Sequence, residues 1–318
     1  MRRLILDLGQ VKKADWALAA ALFTMLAWGM NFAFVKYVLG YMGVGAFVFL
    51  RFLVLPLLGL ALLTVAFRGR LRQSWPRRED LPRFALCALV GHVIHISAVM
   101  YGMSLSTAFS SSLVLTCQPL FTLGILAALG AERLRPQQLL GTLVAFGGIA
   151  LFLSDKFSGG LSRAGLGDLT LLVAGAAFSA YTVLARPLAD RYGPLILLAY
   201  TLLFSAPVML AFTFTSIREL HLSGLGVPVW LAVFWGLVVS SFIGWLAWTW
   251  VNSVRGVARS APFMYLMPPV AGVMAWLTLG ETFTWLKIGG AAVTMAGVAW
   301  AQFGGGPPPK ETGQADRA

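Results

Sequence analysis

Residues 119–134 read PLFTLGILAALGAERL, and residues 268–283 read PPVAGVMAWLTLGETF. Pro119 is followed thirteen residues later by Glu132, nine further by Gly141 and seven further by Gly148. Pro268 is followed at the same intervals by Glu281, Gly290 and Gly297. A single offset of 149 superposes all four pairs and also carries Ser111 onto Ser260. Apolar agreement between hydrophobic segments follows from composition alone. Matched Pro and Gly do not, because each imposes a backbone requirement. The second half of the chain therefore repeats the first. The starts agree as well, with Asp15 ahead of the first span and Asp168 near the corresponding point of the second half.

The repeated unit is a membrane unit. Of 318 residues, 58% are hydrophobic and only 11% are charged, with mean hydropathy +0.80. A soluble domain carries about 25% charged residues, so this composition excludes an ordinary cytosolic enzyme and a disordered chain. A membrane helix needs about 20 mostly apolar residues. Ten stretches meet that length: Trp16–Val38, Val44–Phe67, Leu81–Met103, Thr107–Gly130, Gln137–Ser154, Leu166–Leu188, Pro194–Thr215, Val229–Val251, Val257–Leu279 and Trp285–Phe303. The expected fold is an all-α membrane protein. It has an N-terminal segment 1–13, a five-helix repeat over 14–154, a linker over 155–165, a second repeat over 166–303 and a disordered tail over 304–318. Because each repeat holds an odd number of helices, the second lies upside down relative to the first. Such inverted repeats are a common transporter architecture.

Orientation follows from the basic residues. With the N-terminus in the cytoplasm, 18 of the 24 Lys and Arg fall in cytoplasmic segments and five in outer ones. That asymmetry places both termini inside. The net charge of +12 is then a topology signal and not a nucleic-acid footprint. Trp16, Trp230 and Trp285 stand at span ends, where indoles anchor at the interface. Cys87 and Cys117 lie in apolar runs without disulfide or metal spacing, and no cofactor motif is present.

Trp28-Gly29-Met30-Asn31-Phe32 with Lys36, Leu50-Arg51-Phe52, and Pro119 through Ala131-Glu132-Arg133-Leu134 resemble the first half of an EamA-type carrier of the drug/metabolite transporter superfamily. Ser260-Ala261-Pro262 through Pro268 to Gly280-Glu281 resembles the second half. The resemblance covers about residues 13–303. It implies ten helices in two inverted five-helix units around a central cavity, with export of amino acids or related metabolites across a bacterial inner membrane. Two positions depart from the pattern. Ala131 precedes Glu132 where Gly is usual, and Phe178 stands near the place where Trp28 would recur.

The polar residues narrow the chemistry. All 12 acidic residues lie at helix ends, in loops or in tails. A purely cationic substrate, such as a drug or quaternary amine, would lack a counter-ion in the interior. Neutral or zwitterionic compounds fit better. The cavity candidates are Trp28, Asn31, His92, His95, Ser111, Gln118, Tyr181, Trp245, Trp248 and Tyr265. For each, substrate contact competes with interhelical packing. His92 and His95 share a helical face, so they serve either as a proton relay or as bonded packing residues. Arg51 either anchors a carboxylate or phosphate, or snorkels outward to hold two helices. Pro119 and Pro268 shape kinks, and Glu132 and Glu281 suit gate or loop-capping roles. The glycines of the fifth and tenth spans permit close approach, whether as a brace within one chain or between two chains of a homodimer.

The expected function is that of a secondary transporter of small molecules, working by alternating access in the lipid bilayer. No Walker motif points to ATP. An intramembrane enzyme pairing His95 with Ser110–Ser112 is the reading from another class, but it has no acidic orienter and no use for the repeat. A passive channel or scaffold is a third, without the charge rings of selective pores.

Overall fold

The computed structural model describes residues 2–130, 135–157, 163–219 and 224–303. All regular structure among them is helical. Eight helices are long and apolar enough to cross a membrane. They are α1 (Asp15–Leu39), α2 (Val44–Ala66), α3 (Arg78–Leu105), α4 (Ala108–Ala128), α5 (Pro136–Ser154), α6 (Arg163–Arg218), α7 (Val227–Arg255) and α8 (Ala261–Leu279). A further helix, α9 (Trp285–Phe303), follows. Glu132, the expected linker's residues 158–162 and the tail 304–318 lie outside the described residues.

Two of the expected spans, Leu166–Leu188 and Pro194–Thr215, fall within the single element α6. α6 is two helices joined end to end without a loop. It kinks at Gly193, whose φ of 80° and ψ of 164° are non-helical. Proline at 194 lacks an N–H and disfavours the α conformation in the residue before it. Glycine at 193 takes up the positive φ at no steric cost. The break is thus compressed into one residue pair.

The exterior is apolar. Val65, Leu143, Leu231, Val273 and Leu277 are among the exposed aliphatic side chains, as expected of helices that face lipid. Trp16 and Trp285 are 70% and 87% exposed at helix ends. The two halves interlock. α1 packs against α7 and α8, while α2 and α3 pack against α6.

α5 and α9 form the tightest pair. A Cβ at Gly141 would lie 2.4 Å from the Ala301 nitrogen, and one at Gly297 would lie 2.3 Å from the Ala145 nitrogen. Gly148 meets Thr294, and Gly290 meets Phe152, in the same way. The repeat-matched glycines therefore each face the backbone of the opposite helix within one chain. In lipid, where burying apolar surface gives little drive, such close contact supplies the dispersion energy of association.

Candidate functional site

Two helices that line the interior contain wide π turns, Leu89–Ile94 in α3 and Trp235–Gly244 in α7. Such turns hold an extra residue and re-aim the side chains that follow. The first includes His92 and leads into His95. The second carries Ser240 and Ser241 and leads into Trp245. The Ser241 hydroxyl donates to the Gly236 carbonyl five residues earlier, at 2.5 Å.

Between these turns lies a cavity with about 90 Å³ open to the centre of a water-sized sphere. Trp28, Asn31, Arg51, His95 and Gln118 line it from the first half of the chain. Phe178, Ser240, Ser241, Trp245 and Met267 line it from the second. Ile96, Val99, Met100, Met103 and Leu115 complete an apolar wall. Among the described residues, no carboxylate lines the cavity. A smaller pocket of about 20 Å³ adjoins it, lined by Pro119, Trp248 and Asn252 among others. Gln118 and Phe178 line both and so form the partition.

The aromatic side chains are mutually braced. Trp245 stacks on His92 with centroids 4.7 Å apart and 27° between planes. Its indole N–H donates to the Tyr181 hydroxyl at 3.2 Å. Tyr181 lies against Gly91, where a Cβ would be 2.3 Å from the ring, so the α3 wide turn admits the tyrosine only because that position has no side chain. Trp28 contacts Trp248 at 5.7 Å and Phe178 at 6.2 Å. Its N–H donates to the Ser240 carbonyl at 2.9 Å, which ties α1 to α7.

The two imidazoles are bonded differently. His92 Nε2 shares a hydrogen bond with the Thr201 hydroxyl at 3.1 Å. His92 Nδ1 has no partner. His95 Nδ1 donates to the Ala174 carbonyl at 2.8 Å. Arg51 is 4% exposed. Its Nη1 donates to the Ser241 hydroxyl at 2.5 Å, while its Nε and the Asn31 side-chain oxygen have no partner. Arg51 thus neither snorkels outward nor bonds a backbone carbonyl.

The remaining candidates lie apart from the cavity. The Ser111 hydroxyl donates to the Thr107 carbonyl of its own helix, and the Tyr265 hydroxyl donates to the Val298 carbonyl on α9. Pro268 is buried in the first turns of α8. Ser110 donates to Asp168 and Ser112 to the Phe109 carbonyl, so the hydroxyls considered for a Ser–His pair are committed elsewhere.

At one end of the bundle, five elements converge. Lys36 donates to the carbonyls of Met103, Ser104 and Ser106, the favourable place for a cation at a helix C-terminus. Buried Asp168 accepts from the Ser106 and Ser110 hydroxyls. Glu281 accepts the backbone N–H of Ala108 at 2.7 Å and of Phe109 at 3.3 Å. At the opposite end, Asp80 accepts from Arg191 at 2.7 Å and from the Tyr192 hydroxyl, pinning the start of α3 beside the Gly193 kink.

Ser240, Ser241 and Met267 were not identified by reading polar residues span by span. A signal for two of them existed. The offset that matches the repeats carries His92 onto Ser241 and Gln118 onto Met267; of these, Gln118 and Met267 line the cavity from both halves, and Ser241 lines it where buried His92 does not.

The comparisons with known proteins agree with this architecture. A solved crystal structure matches with a TM-score of 0.62 at 18% identity, covering 90% of this chain and 95% of its own; at that identity the likeness concerns the fold. A protein of Streptantibioticus cattleyicolor named "Probable terminal-alkyne amino-acid exporter" is 28% identical over 91% of this chain and 93% of its own length. Proteins of Salmonella typhimurium and Escherichia coli, each named "Probable amino-acid metabolite efflux pump", are 26% identical over 89% of this chain and 94% of their own. These relatives are named for transport and not for catalysis. The model of the EamA-like transporter family matches residues 15–154 and 165–302, and the chain belongs to that family: it is a multi-pass membrane transporter of small molecules.

Proposed function

We propose that the chain exports amino acids or related neutral and zwitterionic metabolites across the bacterial inner membrane by alternating access. The observation that carries this reading is the cavity itself. Among the described residues it holds no carboxylate; it is walled by aromatic and sulfur-containing side chains and built jointly by the two halves of the chain. A site at the seam of two repeats is where rocking of one against the other changes access.

The topology we infer has ten crossings in two inverted five-helix units, 14–154 and 166–303, with both termini cytoplasmic. The Gly193 kink supports two crossings within α6, and the pairing of α9 with α5 supports a crossing by α9. In this orientation the cluster of Lys36, Asp168 and Glu281 closes the outer end.

The test is counterflow. Purified protein in liposomes loaded with an unlabelled amino acid should accumulate the labelled compound transiently and saturably. A panel of amino acids, sugars and quaternary amines without counterflow would overturn the reading. A linear, non-saturating flux would favour a channel instead.

A further inference from the structure

We propose that Arg51, held by Ser241, is the anchor for the substrate's carboxylate, and that the transported class is amino acids with bulky apolar side chains and not the corresponding amines. The proposal rests on the export reading above and deepens it.

Among the described residues, no carboxylate pairs with the buried Arg51 cation. Arg51 lies within α2 and is 4% exposed. A guanidinium at membrane depth costs several kcal/mol unless it is paired or reaches water, and buried charges are normally paired. Its hydrogen bond goes to a neutral hydroxyl, that of Ser241, and its Nε has no partner. Among the described residues, the cavity that it lines contains no Asp or Glu. The charge is therefore left for something that enters. A carboxylate matches the planar fork of a guanidinium and forms shorter, stronger charge-assisted bonds than a hydroxyl.

The neighbouring groups have the opposite polarity. The Asn31 side-chain oxygen is buried without a partner. It lies 3.4 Å from the position a Cβ would take on Gly236, the residue whose carbonyl holds Ser241. His95 uses Nδ1 on the Ala174 carbonyl, so in the neutral ring Nε2 is an acceptor. Acceptors beside a cation suit a ligand that carries N–H donors next to its carboxylate. Met100, Met103, Met267 and Trp245 supply the surface for an apolar side chain, with methionines adaptable to shape.

Two measurements on the full-length protein test this. The first is competition against labelled L-phenylalanine or L-leucine in wild-type counterflow. 3-Phenylpropionate, which lacks the amine, should compete, and phenethylamine, which lacks the carboxylate, should be at least tenfold weaker. Equal competition by the two overturns the proposal. The second is thermal stabilisation of detergent-solubilised protein by 3-phenylpropionate. Arg51→Gln should raise the half-saturating concentration at least tenfold and Arg51→Lys by less, whereas unchanged binding by Arg51→Gln overturns it. Should Arg51→Gln fail to fold, the wild-type competition decides alone. If 3-phenylpropionate stabilises wild type in an Arg51-dependent way while no amino acid shows counterflow, the export reading fails and the carboxylate anchor stands.

Discussion

Glu281 accepts the backbone N–H of Ala108 at 2.7 Å, 173 positions away in the chain. It does for α4 what an N-cap side chain does locally, except that the carboxylate comes from the end of α8. Gly280, at φ 64°, ends α8 in the left-handed conformation and lets the chain turn there. The bond spans the two repeats at the end where Lys36 and Asp168 also gather. Glu281→Ala should lower stability by about 1.5–3 kcal/mol, the value of a hydrogen bond to a charged group, and Glu281→Gln by roughly half that. Thermal unfolding in detergent measures both, and equal losses for the two variants would show that the charge contributes nothing.

The α5–α9 brace is predicted to be intolerant of any side chain. Gly297→Val would place atoms on the Ala145 backbone, where even a Cβ has only 2.3 Å. Overpacking of this kind costs about 1–3 kcal/mol or more. By contrast, Gly289 has open space around its Cβ position, and Gly289→Ala should leave unfolding unchanged or slightly improved. If Gly297→Val and Gly289→Ala unfold alike, the two helices are not in the contact described.

Trp245 is held from two sides, by the His92 stack and by its bond to Tyr181. Tyr181→Phe removes the acceptor and leaves the ring. One neutral hydrogen bond is worth about 1 kcal/mol, so KM should rise roughly fivefold with kcat little altered. Counterflow kinetics with an accepted amino acid give the split. A fall in kcat at constant KM would place Tyr181 in the conformational step instead.

His92 is predicted to act by positioning, His95 through the cavity it lines, and neither as a proton carrier. His92 bonds Thr201 and supports Trp245, and His95 bonds a backbone carbonyl. His92→Gln should raise KM by about the same fivefold, through loss of a contact worth about 1 kcal/mol, while the dependence of flux on an imposed pH gradient keeps the wild-type shape. Loss of that dependence in either His→Gln variant would make the imidazole a proton carrier.

Reading the sequence exposed the frame of this protein and part of its site. Composition marks the hydrophobic spans, and the offset of 149 marks the repeat because Pro, Glu and Gly carry requirements that apolar residues do not. Trp28, Asn31, His95, Gln118 and Trp245 are legible as interior candidates because polar or aromatic residues at membrane depth must find partners. They do line the cavity. Ser111 and Tyr265 were equally eligible on those grounds, yet their hydroxyls bond to carbonyls outside it. The Gly193 kink shows a similar limit. Gly-Pro signals a break, but whether the chain loops out or turns within one residue pair depends on what packs around it.

The amino-acid sequence by itself determined that the chain enters lipid, that its halves are related, and that no acid stands in the middle of an expected span. Only the tertiary structure decided that Arg51 meets Ser241, 190 positions away, and that Asn31 stands beside them. The physical reason is the solvent. In water, an apolar stripe tells which face of a helix is buried. In a bilayer, the lipid-facing and protein-facing sides are both apolar, so rotation about each helix axis is set by packing and by a few polar contacts between distant segments. Those contacts are properties of the folded chain, and the chemistry of the cavity resides in them.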